Sequence, residues 1–351
     1  MVWVCDKKEK NMDDLLKDSL ERLLQDLCTP TTIKQIEANG DASSLWESLD
    51  ESGFADILVA EESGGAGLTW PEAYTLFSLC GKYSVPAPLA TTAVARSILV
   101  KQGIDSIKGP VTLSIGAKKQ NDGSILSYST PFGLVSDWVI ANLEGECFLL
   151  PINKANKTST GVYGSLQAHL AWDNLPSEAI KLESVIALRE VGATIWTAMM
   201  SGAMSQIMSM VLVHANDRVQ FGKSIGKFQA IQQQISVLSE SVQASAIATQ
   251  MACNFPPSKT NTLLIAAAKA RVSELAPQVN SIGHAVHGAM GITEEFHLHY
   301  LTRRLNEWRM DFGSEGYWQE LIGVTYLASP SPGALDFLLQ YIDPKERITH
   351  G

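Results

Sequence analysis

The sequence predicts a mostly α-helical protein with a small β domain in its middle. Residues 12–28 place leucines at helical spacing. From residue 111 to about 182, short β-branched or alternating runs are separated by Gly, Asp, Asn and Pro, and from residue 184 long helical patterns return. The predicted order is an N-terminal helical domain at 1–110, a small antiparallel β domain at 111–183 and a C-terminal helical bundle at 184–351.

The first 108 residues read as helical throughout. A second helix is predicted over 43–52, and a glycine-rich loop follows at Gly64, Gly65 and Gly67. Pro71 begins the next helix well, because its missing N–H group would have no partner in a first turn. A further helix follows the segment PAPLA.

In the β segment, Asn121, Asp122 and Gly123 form a good hairpin turn. After it, helices are predicted over 185–216, 227–252 and 258–287, where Pro277 requires a local adjustment of the backbone.

Composition excludes several classes of function. Of 351 residues, 45% are hydrophobic and 18% charged, and the net charge of −10 comes without a basic block. A nucleic-acid groove or an anionic membrane surface is therefore not expected as the main partner. No window of about 18 apolar residues suggests a membrane span, and the N-terminus lacks the apolar run of a signal peptide. The five cysteines show no C-x-x-C spacing, which favours reduced thiols and a cytoplasmic location.

The segment NDRVQFGKSIGKFQAIQQQ, residues 216–234, is rich in hydrogen-bonding groups and is predicted to be a turn between two helices. Arg218 presents five donors in a fixed geometry and can bridge a diphosphate bidentately. The alternative is a surface arginine beside Asp217. The last glutamines of the run cover consecutive helical directions, so most of them are expected to face solvent.

The domain order and four local patterns resemble the acyl-CoA dehydrogenase flavoprotein family. The patterns are GFADILVAEESGGAGLTWPEAY, RVQFGKSIGKFQAIQ, AVHGAMGIT and RRLNEWRMDFGSEGYW, and together they cover essentially the whole chain. The resemblance implies a β-barrel-like middle domain, a C-terminal four-helix bundle and bound FAD. It also implies α,β-dehydrogenation of an acyl-CoA, electron transfer to an electron-transfer flavoprotein, and a homo- or hetero-oligomer.

Residue by residue, the resemblance implies a set of cofactor contacts. In the family, the arginine meets the FAD pyrophosphate across a subunit interface, and the phenylalanine packs on the adenosine. Gly288 and Gly291 would let the backbone approach a ligand. His287 either bonds a phosphate or ribose or is a satisfied interior histidine. The six candidates are Arg218, Gln220, Phe221, Gln229, Gly288 and Ser314, and no metal site is expected.

The resemblance fails where the family places its catalytic carboxylate. That base removes the α proton of the substrate in a dry pocket, and its position falls on Phe312, followed by Gly313. Some members carry the base near the start of the long helix instead, and that position falls near Gly192–Ala193. The nearby carboxylates, and hence the catalytic candidates, are Asp311, Glu315 and Glu190. For Glu190 the alternative is an acidic residue stabilised at a helix N-terminus.

Other family contacts are also missing. The stretch that wraps the flavin ring is replaced by VTLSIGAKKQNDGS, and Ala285 and Ala289 stand where a polar residue and a glycine are usual.

Three hypotheses follow. The chain is a base-poor subunit of a heteromer, like the unequal subunits of bacterial enzymes that shorten steroid-like side chains, or a self-sufficient dehydrogenase, or a non-enzymatic helical scaffold that has lost flavin. Small residues and methionines along 185–216 suit a buried bundle helix or one wall of an acyl pocket.

Overall fold

The computed structural model describes residues 12–105, 107–257, 261–330 and 333–342. The N-terminal part is helical, as predicted. Its helices are α1 (Met12–Leu27), α2 (Pro30–Asn39), α3 (Ser43–Glu51), α4 (Trp70–Lys82) and α5 (Leu89–Val100). Helix α2 was not predicted, although the Thr29 side chain accepts from the Thr32 N–H and Pro30 opens the first turn.

The middle of the chain forms two four-stranded sheets. Its strands are β1 (Val111–Ser114), β2 (Ala117–Lys119), β3 (Ile125–Thr130), β4 (Trp138–Leu143), β5 (Glu146–Pro151), β6 (Asn156–Ser159), β7 (Ala168–Trp172) and β8 (Ile180–Lys181). The sheet orders are β1-β4-β5-β8 and β2-β3-β7-β6. The predicted hairpin turn does join β2 to β3.

The expectation of an antiparallel unit is wrong at one pairing, because β1 and β4 run parallel. Between them the chain crosses to the second sheet for the β2–β3 hairpin and returns in the original direction. Parallel neighbours need such a crossover. The first sheet buries one face against the helices, through residues such as Leu113, Ile140 and Leu149, and the other against the second sheet.

The C-terminal part is helical again, with a small hairpin inserted. Its elements are α6 (Leu188–Asp217), β9 (Val219–Gln220), β10 (Lys223–Ser224), α7 (Gln229–Cys253), α8 (Thr262–His287), α9 (Leu298–Trp308), α10 (Glu315–Ala328) and α11 (Ala334–Ile342). Pro277 lies inside α8, and the predicted first residues of that helix, 258–260, lie outside the described residues. The division into three domains at 110 and 183 remains a proposal.

Helix α6 is the centre of the structure and packs against α4, α7, α8 and α9. It crosses α4 at two glycines. A Cβ atom on Gly81 would lie 1.7 Å from the Met199 carbonyl oxygen, and one on Gly202 would lie 1.8 Å from that of Ser78. Only glycine permits this approach of the two backbones.

By length and composition, helix α6 is apolar enough to cross a membrane, although the sequence suggested no such window, but 67% of its most apolar window is buried inside the protein. Small residues and methionines fill its contacts with the neighbouring helices, so it is a core helix. The four described cysteines, Cys28, Cys80, Cys147 and Cys253, are free and buried.

Candidate functional site

The two positions that the resemblance assigns to a catalytic base meet in space. The Phe312 ring lies directly on Gly192 in the second turn of α6, where a Cβ atom would be 2.1 Å from Cδ1 of the ring. Phe312 is 3% exposed. Neither position carries a carboxylate, and the Phe312 ring fills the space next to Gly192 where a carboxylate would have to lie.

The turn between α9 and α10 places Phe312 there by means of an uncommon backbone. Phe312 has φ 55° and Gly313 has φ 109°, in the left-handed region that costs a bulky residue free energy. A Cβ atom on Gly313 would lie 2.6 Å from Trp318 Nε1, so glycine is required at this position. Ser314, proposed for the cofactor, caps α10 by accepting from the Tyr317 N–H at 3.5 Å.

Three aromatic rings form a row from the β sheets to this turn. Phe132, which follows β3, lies 6.1 Å from Trp196 of α6, and Trp196 lies 4.7 Å from Phe312, measured between ring centroids. All three side chains are buried. The junction of the sheets with the bundle is therefore filled with apolar rings at this level.

Asp311 is held between the two parts of the structure. Trp196 Nε1 donates to one carboxylate oxygen at 2.9 Å, and Gln167 Nε2, just before β7, donates to the other at 2.8 Å. Burial, assisted by the charge of Glu307, raises the pKa of Asp311 to about 7, against the opposing influence of Lys269 and the two hydrogen bonds. Asp311 is therefore a carboxyl group that titrates near neutral pH but has both oxygens engaged.

The other two candidate carboxylates are also engaged. Glu315 pairs with Arg309. Burial raises the pKa of Glu315, but hydrogen bonding and the charge of Arg309 outweigh this and leave the pKa below its usual value. Glu190 lies in the first turn of α6 and accepts from Thr262 Oγ1 at 3.2 Å. The structure brings neither into the contact between Phe312 and Gly192.

The Arg218 segment forms an exposed finger. Phe221 and Gly222 both have positive φ and close the β9–β10 hairpin, as a two-residue hairpin turn requires. Phe221 is 93% exposed. Arg218 is exposed as well, and within the described part of the chain its guanidinium has no hydrogen-bond or ion-pair partner. Both the cofactor contact and the alternative, a surface arginine beside Asp217, fit this position.

The glutamines around the finger also point outward. Gln220 in β9 and Gln229 at the start of α7 are exposed. Gln232 donates to the Gly226 carbonyl at 3.1 Å, so at least one glutamine of the run serves its own chain.

The end of α8 presents a second set of candidates. His287 is 4% exposed, and its Nδ1 donates to the Gly283 carbonyl at 2.7 Å, so the ring is half-satisfied. Its Nε2 is buried, and the described residues provide no partner for it. Gly288 ends α8 with φ 60° and open space at the Cβ position, whereas Gly291 packs against His287 and Leu298. Of the two glycines predicted to let the backbone approach a ligand, only Gly288 therefore has an accessible backbone.

The stretch that replaces the flavin-wrapping segment uses its hydroxyl groups internally. Thr112 Oγ1 donates to the Pro131 carbonyl at 2.6 Å, and Ser114 and Ser127 bond each other at 2.6 Å. The residues therefore fit FAD unequally. The finger and Gly288 leave donors and an aromatic ring free for a diphosphate and an adenosine, whereas Asp311 beside Phe312 has both carboxylate oxygens engaged.

Sequence reasoning missed three residues that shape the turn: Gln167, Trp196 and Lys269. Gln167 and Trp196 become neighbours of Asp311 only through tertiary packing, and no local pattern indicates this. Lys269 follows the apolar run LLIAAA within α8, and a charge that interrupts the apolar positions of a helix is a signal that could have been used.

Comparison with known proteins agrees with the resemblance. Residues 190–323 match the family described as acyl-CoA dehydrogenase, C-terminal domain. The chain is 25% identical over 298 residues to acyl-CoA dehydrogenase IpdE2 of Mycobacterium tuberculosis, which covers 83% of this chain and 89% of that protein.

Two solved structures share the fold. The ChsE4-ChsE5 complex from Mycobacterium tuberculosis superposes with a TM-score of 0.76 at 17% identity, covering 92% of this chain and 99% of the matched one. The Tcur3481-Tcur3483 steroid ACAD superposes with a TM-score of 0.78 at 20% identity, covering 90% and 99%. The predicted mostly helical fold with small sheets is therefore confirmed.

Proposed function

Because the chain has the acyl-CoA dehydrogenase fold and carries that family's C-terminal domain over residues 190–323, we propose that it is a flavoprotein subunit without a catalytic base of its own. It works with an unlike subunit that supplies the base for α,β-dehydrogenation of an acyl-CoA. FAD, when bound, would supply the hydride acceptor for the β hydrogen of the substrate, and an electron-transfer flavoprotein would receive the electrons.

The contact of Phe312 with Gly192 carries this proposal. General-base catalysis needs a carboxylate within hydrogen-bond reach of the proton it removes. Here the two positions that could hold one face each other with a phenyl ring and a bare glycine. A base absent from one position is thus not supplied by the other.

The distance between the two halves of the candidate site supports an assembly of chains. Gly192 and Arg218 lie on and just beyond α6, and a rise of 1.5 Å per residue separates them by about 39 Å. This is far longer than the ribityl chain and diphosphate that join the two ends of FAD. The Arg218 finger therefore serves a cofactor whose flavin ring is held by another chain. The similar complex of ChsE4 with ChsE5 contains two different chains, which suggests that this other chain is an unlike subunit. The similarity to a steroid ACAD suggests that the acyl group of the substrate is bulky.

Within this assembly, some residues of this chain bind the cofactor and others exclude water. Arg218 donates to the diphosphate, Phe221 covers the adenosine, and Gly288 allows close approach of the backbone. Gln220, Gln229 and Ser314 remain proposed contacts. At the junction with the sheets, Phe132, Trp196 and Phe312 keep water and ligand out.

A second candidate function is a self-sufficient dehydrogenase that uses Asp311. Its raised pKa, about 7, suits a base working near neutral pH. The two N–H donors on its oxygens argue against it, since they stabilise the carboxylate and hold it away from a substrate. The non-enzymatic scaffold is the third possibility, and it binds no flavin in any assembly.

Flavin content after purification tests the proposal. The protein is purified alone and after co-expression with an unlike acyl-CoA dehydrogenase subunit, as wild type, Arg218→Ala and Arg22→Ala. Arg22 is an exposed arginine on α1 and serves as the matched control. Loss of a charge-assisted pair costs about 1.5–3 kcal/mol, so Arg218→Ala should weaken FAD retention roughly ten- to hundred-fold, while Arg22→Ala retains it. Full flavin occupancy of Arg218→Ala after desalting would contradict the assignment, and a colourless complex would favour the scaffold.

A further inference from the structure

Lys269 is a charged side chain placed fully inside the protein. It lies on α8 and is 0% exposed. Lysine is almost never fully buried unless its ammonium is paired, and an apolar residue of the same length would avoid the cost of desolvating the charge. Its position therefore calls for a specific set of partners.

Those partners are at the end of the neighbouring helix α9. Lys269 Nζ donates to the carbonyl oxygens of Trp308 at 3.1 Å and Arg309 at 2.9 Å, and to Ser273 Oγ at 3.0 Å. The three N–H groups of the ammonium thus have three acceptors. The last carbonyl groups of a helix have no partner within it and carry partial negative charge, so the ammonium closes α9 from inside.

The turn that begins there is the one that carries the candidate site. It runs from residue 309 to 314, it holds Phe312 and Gly313 at positive φ, and it sets Asp311 between Trp196 and Gln167. A strained backbone of this kind persists only where the surrounding structure fixes it from several sides. Lys269 fixes its first residues, and the hydrogen bonds of Asp311 fix its middle.

We propose that Lys269 is a positioning residue, which by closing α9 holds the turn 309–314 so that Phe312 stays on Gly192 and Asp311 stays between its two donors. Without the ammonium, two buried carbonyl groups lose their partner and the turn opens first. The inference concerns the turn itself and stands independently of the proposed function.

Because Lys269 is charged, its hold on the turn 309–314 should depend on pH, whereas a side chain that only filled space would show no such dependence. Burial lowers the pKa of Lys269 to about 7, opposed by Asp311 and Glu315 and assisted by Arg309. A neutral amine keeps two N–H donors but loses the charge that strengthens its bonds to the Trp308 and Arg309 carbonyls, so these bonds weaken as pH rises through this value. Asp311 titrates in the same range, so Asp311→Asn is included to separate the two groups.

Hydrogen exchange followed by mass spectrometry tests the proposal on the full chain without flavin or substrate. Lys269→Met removes all three donors at similar length, and the exposed Lys34→Met is the control. After correction for intrinsic rates, amides of 309–314 should exchange roughly ten-fold or more faster in Lys269→Met, with α4 and α6 unchanged. In wild type, exchange of the turn should rise between about pH 6 and 8. In Asp311→Asn the rise should persist at lower pH, because the Asp311 charge raises the pKa of Lys269, and in Lys269→Met it should be absent.

Normal protection of the turn in Lys269→Met, or equal loosening of every helix, would overturn the proposal. If Lys269→Met does not fold, Ser273→Ala, which removes one acceptor, and the wild-type pH profile decide the matter. A profile that is flat in wild type, or that disappears in Asp311→Asn, overturns the role given to Lys269.

Discussion

Replacing Asp311 with Asn should change the stability of the protein in a way that depends on pH. Both carboxylate oxygens accept from N–H groups. Asn offers one oxygen and one NH₂ group, so it can accept from Trp196 Nε1 and keep a bond to Gln167 only if the Gln167 amide turns over to present its oxygen. A buried donor left without an acceptor costs about 1–3 kcal/mol, and this is the most that we expect Asp311→Asn to lose at pH 4, where Asp311 is itself protonated.

The sign of the pH effect follows from the raised pKa, about 7 in the folded protein and about 4 when unfolded. Between these values the folded state binds the proton more tightly, so wild type loses stability as pH rises from 4 to 7. Three pKa units correspond to at most about 4 kcal/mol, reduced by the remaining contact of Asp311 with solvent. Asn does not titrate, so the stability of wild type relative to Asp311→Asn should fall across this range, and a fall larger than the advantage at pH 4 makes the variant the more stable protein at pH 7.

The assay is urea unfolding at half-unit steps from pH 4 to 8, with Asp122→Asn as the control. Asp122 lies in an exposed turn, where hydrogen bonds from the Ser124 side chain and backbone lower its pKa. It therefore stays ionised across the range, and its variant should differ from wild type by a constant amount. If the free energy of unfolding of Asp311→Asn differs from that of wild type by the same amount at every pH, burial does not raise the pKa of Asp311 and the reasoning is refuted.

Three further predictions concern the fold, the base position and the assembly. Gly202→Ala should destabilise the protein by several kcal/mol or prevent folding, since its Cβ would lie 1.8 Å from the Ser78 carbonyl oxygen. Thermal unfolding measures this loss, and a melting temperature within a few degrees of wild type would contradict the close crossing of α4 and α6. In protein loaded with flavin, Phe312→Glu replaces the ring that keeps ligand out with a carboxylate, and acyl-CoA should bleach the flavin about 10²–10⁴-fold faster than in Phe312→Gln. Equal rates would show that this position cannot hold the base. The protein should sediment as a closed oligomer, because the proposed FAD contacts of Arg218 and of the exposed Phe221 reach a cofactor held by another chain. A stable monomer that retains FAD would contradict the shared site.

Periodicity and turn chemistry made most of the fold predictable. The run from Met12 to Leu27, the hairpin turn at Asn121–Gly123 and the long helix after residue 184 all carry strong local signals. Helix α2 was missed although Thr29 and Pro30 mark its start. The parallel pairing of β1 with β4 could not be predicted, because it depends on a crossover between sheets rather than on either strand.

The candidate site was less predictable than the fold. Counting from the family pattern indicated that Phe312 and Gly192 both lack a base, but their contact comes from the packing of α9 on α6. The hydrogen bonds that engage Asp311 come from residues 144 and 115 positions away along the chain. Such long-range contacts leave no periodic trace in the sequence.

Single-turnover bleaching of flavin by acyl-CoA, measured on the complex of this chain with an unlike subunit, tests the central claim most directly. We predict that bleaching disappears when the carboxylate of the unlike subunit is removed. It should persist when Asp311→Asn, Glu315→Gln or Glu190→Gln is introduced into this chain, and the chain alone should show none. Rapid bleaching by the isolated chain, lost in one of those three variants, would contradict the account and identify the base.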